Sequence, residues 1–392
     1  MMENIRDRKK NVISLICVLV FWLIVFALDQ IIKPTSKMYM LLTVLQKGSV
    51  YALAAVSMNL LNGFTGLFSL GHAGFMLIGA YTYAIFTIPS DARDTVYQYF
   101  DAAVRVSFPE VFSGAIGPLG TVLGVALAVI LAGIMAAFFA YLIGLPVLRL
   151  KSDYLAIATL GFAEIIRAVF QWTRLGPVTN GSNLLKSFSR TSTFFIDAGS
   201  TRISFSTLVP IVIATLSIIV IVLLVNSSYG RAFKAIRDDE VSAEAMGINL
   251  AKHKMMSFVI SSFFAGVAGA TMAMVLSIAQ ASNFKSAMTY EILLMVVLGG
   301  IGSISGSVIG SFLFVASSEW WLRGLDSGKF LGINAPGVFR NGFRLVVFSV
   351  IIMIVVLFFR KGIMGDKEIT YYLNKLKDKK KNKADDPGKE GA

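Results

Sequence analysis

The chain has 392 residues, of which 56% are hydrophobic and 15% are charged, and its mean hydropathy is +0.72. These values exclude a pair of ordinary soluble domains and indicate a single all-α, polytopic membrane body. The formal net charge of +13 would suggest nucleic-acid binding in a soluble protein. Here the Lys and Arg residues lie at chain ends and in loops, as membrane topology requires, so we expect no nucleic-acid partner. A single cysteine and two histidines exclude an intrachain disulfide and give no basis for a metal site.

Apolar runs of roughly 20 residues, the length that crosses a bilayer, recur along the chain. They predict about ten transmembrane segments, at residues 11–32, 39–61, 69–88, 117–146, 153–172, 207–225, 255–280, 287–300, 303–322 and 342–359. The first follows a basic N-terminus, but it is long enough to span and no small-residue cleavage site follows, so we interpret it as an uncleaved helix. The third, eighth and ninth border glycine-rich stretches, which favours broken or re-entrant helices.

An even number of spans places both chain ends on one side of the membrane. The basic residues cluster before the first span, after the fourth, in the loop at residues 226–254 and after the last span. The positive-inside rule therefore predicts that both termini and this loop are cytosolic. Residues 1–365 form the expected transmembrane domain. The lysine-rich tail at residues 366–392 is predicted to be disordered. It could attract anionic membrane lipid, and the alternative is a solubilising extension with no specific role.

Two glycine and serine clusters, at residues 62–80 and 299–314, lie at the edges of apolar runs. Irregular backbone at membrane depth is tolerated only inside protein or beside a wet cavity, so these clusters are candidates for a translocation pathway. Their correspondence in two halves of the chain is a weak sign of an inverted repeat. Close helix packing through small residues is the alternative. The pathway candidates are Gly63, Gly66, Ser69, Gly71, His72, Thr159, Gly299 and Gly302.

Glu164 and Arg167 lie within an apolar run, three residues apart. Because an unpaired charge in the bilayer is costly, we expect an intramembrane ion pair between them or a contact with a neighbouring helix. A gating role is the alternative.

The loop at residues 226–254 is polar, helix-prone and enclosed by two strongly apolar runs. Its charge spacing predicts one short helix that begins near Gly230 and stops at Gly247. Such a charged helix could meet a soluble partner, and the alternative is a solvated connecting loop. The candidate residues are Gly230, Arg231, Ala232, Arg237, Asp238, Asp239, Glu240 and Gly247.

Enzyme chemistry finds no support, because neither a nucleophile elbow nor a paired metal-ligand motif is present. A Gly-x-x-x-x-Gly-Lys-Ser/Thr phosphate loop is missing as well. If transport is driven by ATP, hydrolysis must occur on another chain.

The segments at residues 61–80, 148–167, 179–184, 228–249 and 299–310 together resemble the LivM-type permease of bacterial branched-chain amino-acid ABC importers. The resemblance extends over nearly the whole chain, to about residue 365. Asn180 stands where such permeases usually have glycine, and a further glycine is often found near Leu184.

The resemblance implies a transport subunit, not an enzyme, in the inner (plasma) membrane. Residues 230–247 would dock on an ATPase, and the complex would contain a related second permease chain, two ABC ATPases and an external solute-binding protein. ATP and Mg would bind to the ATPases, with no cofactor on this chain. The cargo would be branched-chain or other hydrophobic amino acids, with urea, amides, nucleosides or sugars as alternatives. An ion-coupled secondary transporter or channel is a further alternative, against which stands the scarcity of membrane carboxylates beyond Glu164, Glu291 and Glu319.

Overall fold

A computed structural model describes residues 2–32, 38–150, 152–198 and 201–321, with short pieces at 329–330, 333–334, 346–347, 349–350, 353, 362–365 and 368. The α-helices within these residues are α1 (Met2–Ile31), α2 (Tyr39–Asn59), α3 (His72–Thr87), α4 (Arg93–Val96), α5 (Phe108–Ile116), α6 (Pro118–Val147), α7 (Ser152–Gln171), α8 (Gly176–Thr179), α9 (Leu208–Asn226), α10 (Ser228–Asp238), α11 (Glu240–Ala245), α12 (Leu250–Leu276), α13 (Ser286–Gly299) and α14 (Ile304–Ala316). Two π-helical turns, Leu60–Phe64 and Ser317–Trp321, extend α2 and α14. The described strands form two small hairpins, β1 (Phe195–Ala198) with β2 (Thr201–Ser204), and β3 (Lys329–Phe330) with β4 (Ile333–Asn334).

The predicted all-α, polytopic membrane fold is confirmed. In the described part of the chain, five helices are long and apolar enough to cross a membrane: Tyr39–Phe64, Leu119–Val147, Tyr154–Gln171, Leu208–Asn226 and Leu250–Leu276. Two shorter apolar helices, Ile16–Ile31 and Ser286–Gly299, accompany them. α3 has 16 residues and α14 has 13, so both are shorter than the spans predicted there. Most of the predicted span at residues 342–359 lies outside the described residues.

The centre of the fold is the crossing of α12 with α3, and α12 also packs extensively against α6. Every residue of α3 except Phe86 is buried, as expected for a helix that is apolar on all sides. Glycines bring the two backbones into direct contact. A Cβ on Gly79 would lie 2.0 Å from the Gly266 carbonyl oxygen, and one on Gly269 would lie 1.9 Å from the Met76 carbonyl oxygen. A short helix can therefore occupy the middle of the bundle without facing lipid.

The connections at residues 89–116 and 173–206 pack against each other. The buried Arg93 guanidinium donates to the carbonyl oxygens of Ile88 and Val104 within the first connection. The Tyr97 hydroxyl donates to the Val178 carbonyl oxygen of the second at 2.8 Å. Burial raises the pKa of Tyr97 to about 12. The two connections thus form one packed layer at this end of the bundle.

Residues 362–365 and Glu368 lie at the helix ends near Gly299 and Ile304. The Ile363 and Met364 backbone N–H groups donate to the carbonyl oxygens of Leu298 and Gly299 at the end of α13. The Glu368 carboxylate accepts from the Ile304 N–H at 2.7 Å and the Ser305 N–H at 3.1 Å, at the start of α14. A carboxylate stabilises a helix N-terminus because the first N–H groups have no partner inside the helix. Within the lysine-rich tail at residues 366–392 the structure describes Glu368 alone, so the predicted disorder of this tail stays a prediction.

Candidate functional site

The polar segment, defined here as residues 226–249, forms two helices instead of the single helix predicted from charge spacing. α10 ends at Asp238, and α11 begins at Glu240. Between them Asp239 is extended, and its carboxylate accepts a hydrogen bond from the Ser242 N–H at 3.0 Å. This bond lowers the pKa of the Asp239 carboxyl. Asp239 is therefore a helix cap, a role that Asp readily takes and that charge periodicity alone does not reveal.

Gly247 ends α11 as predicted. Its φ of 85° is left-handed, and the Ile248 N–H donates across it to the Ala243 carbonyl oxygen at 3.1 Å. Glycine is favoured at such a position because a side chain would be strained there.

α10 is held firmly against the spans through one face. Gly230, Phe233 and Ile236, spaced by three residues, are its buried positions. A Cβ on Gly230 would lie 2.1 Å from the Val225 carbonyl oxygen, so glycine is needed where α10 turns back on α9. Phe233 also makes an edge contact with the His253 ring in α12. α10 must therefore move together with α9 and α12.

Arg237 connects α10 to the glycine-rich break after α2. Its guanidinium donates to the Gly63 carbonyl oxygen at 3.2 Å and pairs with Asp238 at 2.9 Å. Gly66, with φ of 77°, lies against it, since a Cβ there would be 3.0 Å from the Arg237 Cγ. The sequence predicts that Arg237 contacts a soluble partner. In the structure its guanidinium contacts two groups of the same chain, the Gly63 carbonyl oxygen and the Asp238 carboxylate.

α11 and the turn after it carry the exposed part of the polar segment. Val241 is 78% exposed and Met246 is 84% exposed, the two highest values among the large hydrophobic side chains that the structure describes. Asp238, Glu240 and Glu244 are exposed beside them, and Glu240 pairs with Lys254 at 2.6 Å. Sequence reasoning identified the charged residues and missed Val241 and Met246. Large apolar residues within an otherwise polar stretch could have indicated a contact surface.

The predicted break at residues 62–80 is present. α2 continues into the π-helical turn Leu60–Phe64, and regular helix resumes only at His72. Side chains satisfy the backbone groups that the break releases, as membrane depth requires. Leu70 N–H donates to the Thr159 hydroxyl at 3.0 Å, and Ala73 N–H donates to the Thr289 hydroxyl at 3.1 Å.

The pathway candidates in this break, and Thr159 in α7 beside it, contact other parts of the same chain. Ser69, His72 and Thr159 are at most 2% exposed. The His72 Nε2 lies 3.2 Å from the Ser261 hydroxyl, and a Cβ on Gly71 would lie 3.2 Å from the Thr159 carbonyl oxygen. Their roles in the described chain are packing and hydrogen bonding, and a role in translocation stays a prediction.

Asn59 joins the two glycine clusters. Its amide nitrogen donates to the Ser303 carbonyl oxygen at 2.9 Å and the Ser307 hydroxyl at 2.8 Å. Its amide oxygen accepts from the Gly302 N–H at 2.9 Å, next to Gly63. Asn59 is fully buried, and sequence reasoning missed it although an amide inside an apolar run is a usable signal.

Replacing Asn59 with alanine should destabilise the protein by about 2–4 kcal/mol, because three buried hydrogen bonds are lost and their partners stay buried. The measurement is thermal unfolding of the detergent-purified chain. Asn183→Ala, at an exposed asparagine, serves as the matched control and should unfold like the unaltered chain. Equal unfolding temperatures for both variants would contradict the structural role of Asn59.

In the second glycine cluster, at residues 299–314, Gly299 allows two helices to touch and Gly302 allows a left-handed turn. A Cβ on Gly299 would lie 2.1 Å from the Gly306 carbonyl oxygen, so α13 and α14 touch there. Gly302 has a φ of 88°, in the turn that connects these two helices. Both glycines therefore serve a tight helical turn beside Asn59.

Glu164 and Arg167 lie in contact, at 2.6 Å between Oε2 and Nη2. The other Glu164 oxygen accepts bonds from the backbone N–H and hydroxyl of Ser286 at the start of α13. Glu164 thus pairs with an arginine on its own helix and also contacts a neighbouring helix, so both contacts expected from the sequence are present, and only the capping role was not predicted. The pair holds α7 against α13.

Asn180, where glycine was expected from the resemblance, has a left-handed φ of 62°. Asparagine is one of the few residues that tolerate this conformation. Its amide nitrogen donates to the Val96 and Leu184 carbonyl oxygens, so the side chain also secures the loop.

A cavity of about 320 Å³ lies between α2, α12, α13 and the turn Ser317–Trp321. Lys47 and Glu319 form an ion pair at 2.7 Å on its wall. Sequence reasoning noted Glu291 and Glu319 only as carboxylates near span ends, and it did not consider Lys47.

Comparison with known proteins identifies the fold's family. The family described as "Branched-chain amino acid transport system / permease component" matches residues 40–363. The chain belongs to this family. The resemblance found in the sequence is thereby confirmed.

Three relatives illustrate the range of similarity. The high-affinity branched-chain amino acid transport system permease protein LivM of Escherichia coli (strain K12) is 30% identical over 291 residues, which cover 69% of this chain and 61% of that protein. A probable branched-chain amino acid transport permease protein LivM of Methanocaldococcus jannaschii is 25% identical over 82% of this chain and 92% of its own. A probable LivH of the same archaeon is 29% identical over 97 residues, 25% of this chain and 30% of that protein. No solved structure matches the permease.

Proposed function

We propose that this permease is the membrane subunit of an ATP-driven importer of branched-chain or other hydrophobic amino acids, and that its polar segment docks on a separate ATPase. ATP and Mg are held by the two ATPase chains. An external solute-binding protein delivers the cargo, and a related permease chain completes the pathway. The names LivM and LivH among the relatives support two related permease chains. The complex sits in the inner membrane with both termini of this chain in the cytosol.

The observation that carries the proposal is the exposed apolar pair Val241 and Met246 on a firmly anchored helix pair. Large apolar side chains outside the spans are costly to leave in water unless a partner covers them. Exposed acidic neighbours surround this pair, so the partner surface should combine an apolar groove with basic residues. Amphipathic helices are commonly recognised by burial of their apolar side chains in such a groove.

The anchoring explains how force could pass from an ATPase to the spans. α10 is packed on α9 and α12, and Arg237 reaches the carbonyl oxygen of Gly63 in the break. Packed cores transmit small displacements as rigid-body shifts because they deform little. Movement of the ATPase would therefore displace the broken segment together with α10.

The experiment is pull-down of the co-expressed ATPase with the double variant Val241→Asp/Met246→Asp. We expect loss of ATPase binding by at least about 100-fold, in the range of interface hot spots, while membrane insertion is kept. The control double variant Val106→Asp/Val111→Asp alters exposed apolar residues outside the polar segment and should bind the ATPase normally. Full ATPase binding and ATP-driven leucine uptake in the first variant would refute the docking role.

A further inference from the structure

We propose that the cavity between α2, α12 and α13 is a binding site for a free amino acid in its zwitterionic form. This inference rests on the proposed transport function and adds a site and a recognition chemistry to it. The cavity's volume of about 320 Å³ falls at the lower end of the range of about 300–1,000 Å³ for small-molecule sites.

The charges of the cavity wall provide the main argument. Lys47 and Glu319 neutralise each other. Lys285 and Glu291 remain, one cation and one anion, and neither side chain has a hydrogen bond or ion pair with any residue described in the structure. One unpaired cation and one unpaired anion in the lining of the same cavity are complementary to the carboxylate and ammonium groups of one amino acid.

Lys285 and Glu291 do not form an ion pair with each other in the described part of the chain. Lys285 precedes the first residue of α13 and Glu291 lies six positions further on. Side chains six apart lie on different faces, with a rise of about 9 Å between them. A ligand that carries both charges can reach both groups.

The rest of the lining fits the aliphatic part of such a ligand. Met272 and Leu276 come from the last turns of α12, and Met288 comes from the first turn of α13. Methionine side chains adapt to ligands of different shape, as a site for several hydrophobic amino acids requires. The cavity lining thus combines these apolar side chains with the opposite charges of Lys285 and Glu291.

The same chemistry selects against uncharged cargo. Urea, an amide, a nucleoside or a sugar would occupy the cavity without neutralising Lys285 or Glu291, and displacing water from these charges would then be unfavourable. The cavity lies at the end of the bundle opposite the polar segment, as expected for a site that receives cargo before transport. α12 begins next to the polar segment and ends at the cavity, so about 40 Å of helix separates the two.

The test measures binding of three probes to the full-length permease in lipid nanodiscs. Radiolabelled L-leucine is competed with unlabelled L-leucine, L-leucinamide and 4-methylpentanoate. Leucinamide keeps the ammonium group and lacks the carboxylate, whereas 4-methylpentanoate keeps the carboxylate and lacks the ammonium group. We expect both analogues to compete at least tenfold more weakly than L-leucine, and urea not to compete.

Two variants then assign the charges. Glu291→Gln should weaken L-leucine and L-leucinamide at least tenfold and leave 4-methylpentanoate unchanged. Lys285→Gln should weaken L-leucine and 4-methylpentanoate and leave L-leucinamide unchanged. Asp101→Asn and Lys186→Gln, at exposed charges outside the cavity lining, are the matched controls and should bind all probes normally.

The crossed pattern separates recognition from misfolding, since a misfolded variant would lose all probes together. Equal weakening of the three probes, unchanged binding in both variants, or no L-leucine binding to the monodisperse unaltered chain would each overturn the assignment. ATPase pull-down from the same preparation keeps the two proposals apart. Normal ATPase binding without leucine binding refutes the cavity alone, whereas leucine binding without ATPase binding refutes the docking role alone.

Discussion

Gly269→Ala is expected to prevent α12 from packing on α3 and to remove most folded permease from the membrane. The added Cβ would lie 1.9 Å from the carbonyl oxygen of Met76, which belongs to a backbone and cannot rotate away. Overpacked cores that relax cost about 1–3 kcal/mol. Here two central helices must separate, so we expect a loss at or above the upper end of this range, about 3 kcal/mol. The measurement is the yield and unfolding temperature of the detergent-purified chain.

Gly161→Ala is the matched control for this prediction. Gly161 lies within α7, and a Cβ there would meet no atom within 4 Å. Alanine should therefore fit, and it should stabilise the helix by about 0.5–1 kcal/mol through its higher helix propensity. The close crossing of α3 and α12 would be disproved if both variants unfolded at the same temperature.

Arg237→Gln is expected to uncouple ATP hydrolysis from uptake while the ATPase stays bound. The substitution removes the charged donor to the Gly63 carbonyl oxygen and leaves Val241 and Met246 unchanged. Hydrogen bonds from charged groups contribute about 1.5–3 kcal/mol, which corresponds to a loss of coupling of roughly 10-fold to 100-fold. The measurement compares ATP-driven leucine uptake with ATP hydrolysis in reconstituted vesicles that contain the whole complex.

Lys252→Gln provides the control, because this exposed lysine in the first turn of α12 has no described side-chain partner. It should retain both uptake and hydrolysis. Normal uptake by Arg237→Gln would exclude a coupling role for the contact with Gly63. Loss of ATPase binding together with uptake would instead identify Arg237 as part of the docking surface.

The polar segment shows where sequence reasoning succeeded and where it failed. Its position between two spans and its stop at Gly247 follow from composition and from the backbone freedom of glycine. The break at Asp239 was missed because an aspartate that caps a helix and one that lies within a helix look alike in a charge pattern. The inward contact of Arg237 was missed because its acceptor, Gly63, is 174 residues away in the chain.

For the glycine clusters, the sequence predicted the local backbone and not the contacts between helices. The density of glycine predicted a broken helix, and regular helix is interrupted there between Phe64 and His72. The sequence could not show that Asn59 would bridge them, since that bond depends on α2 meeting α14. Glu164 is similar, because its pairing with Arg167 follows from local spacing, whereas its cap on Ser286 requires α7 and α13 to be neighbours.

The sequence by itself determined the membrane character, the positions of most spans, the polar segment and the family. These features depend on hydrophobic length, local charge and short motifs, all of which act within a few turns of helix. Only the tertiary structure decided the partners of the buried polar groups, the exposure of Val241 and Met246, and the cavity with Lys285 and Glu291 on its wall. Those features arise where distant helices meet, and the packing of side chains across such contacts leaves no periodic signal in the sequence.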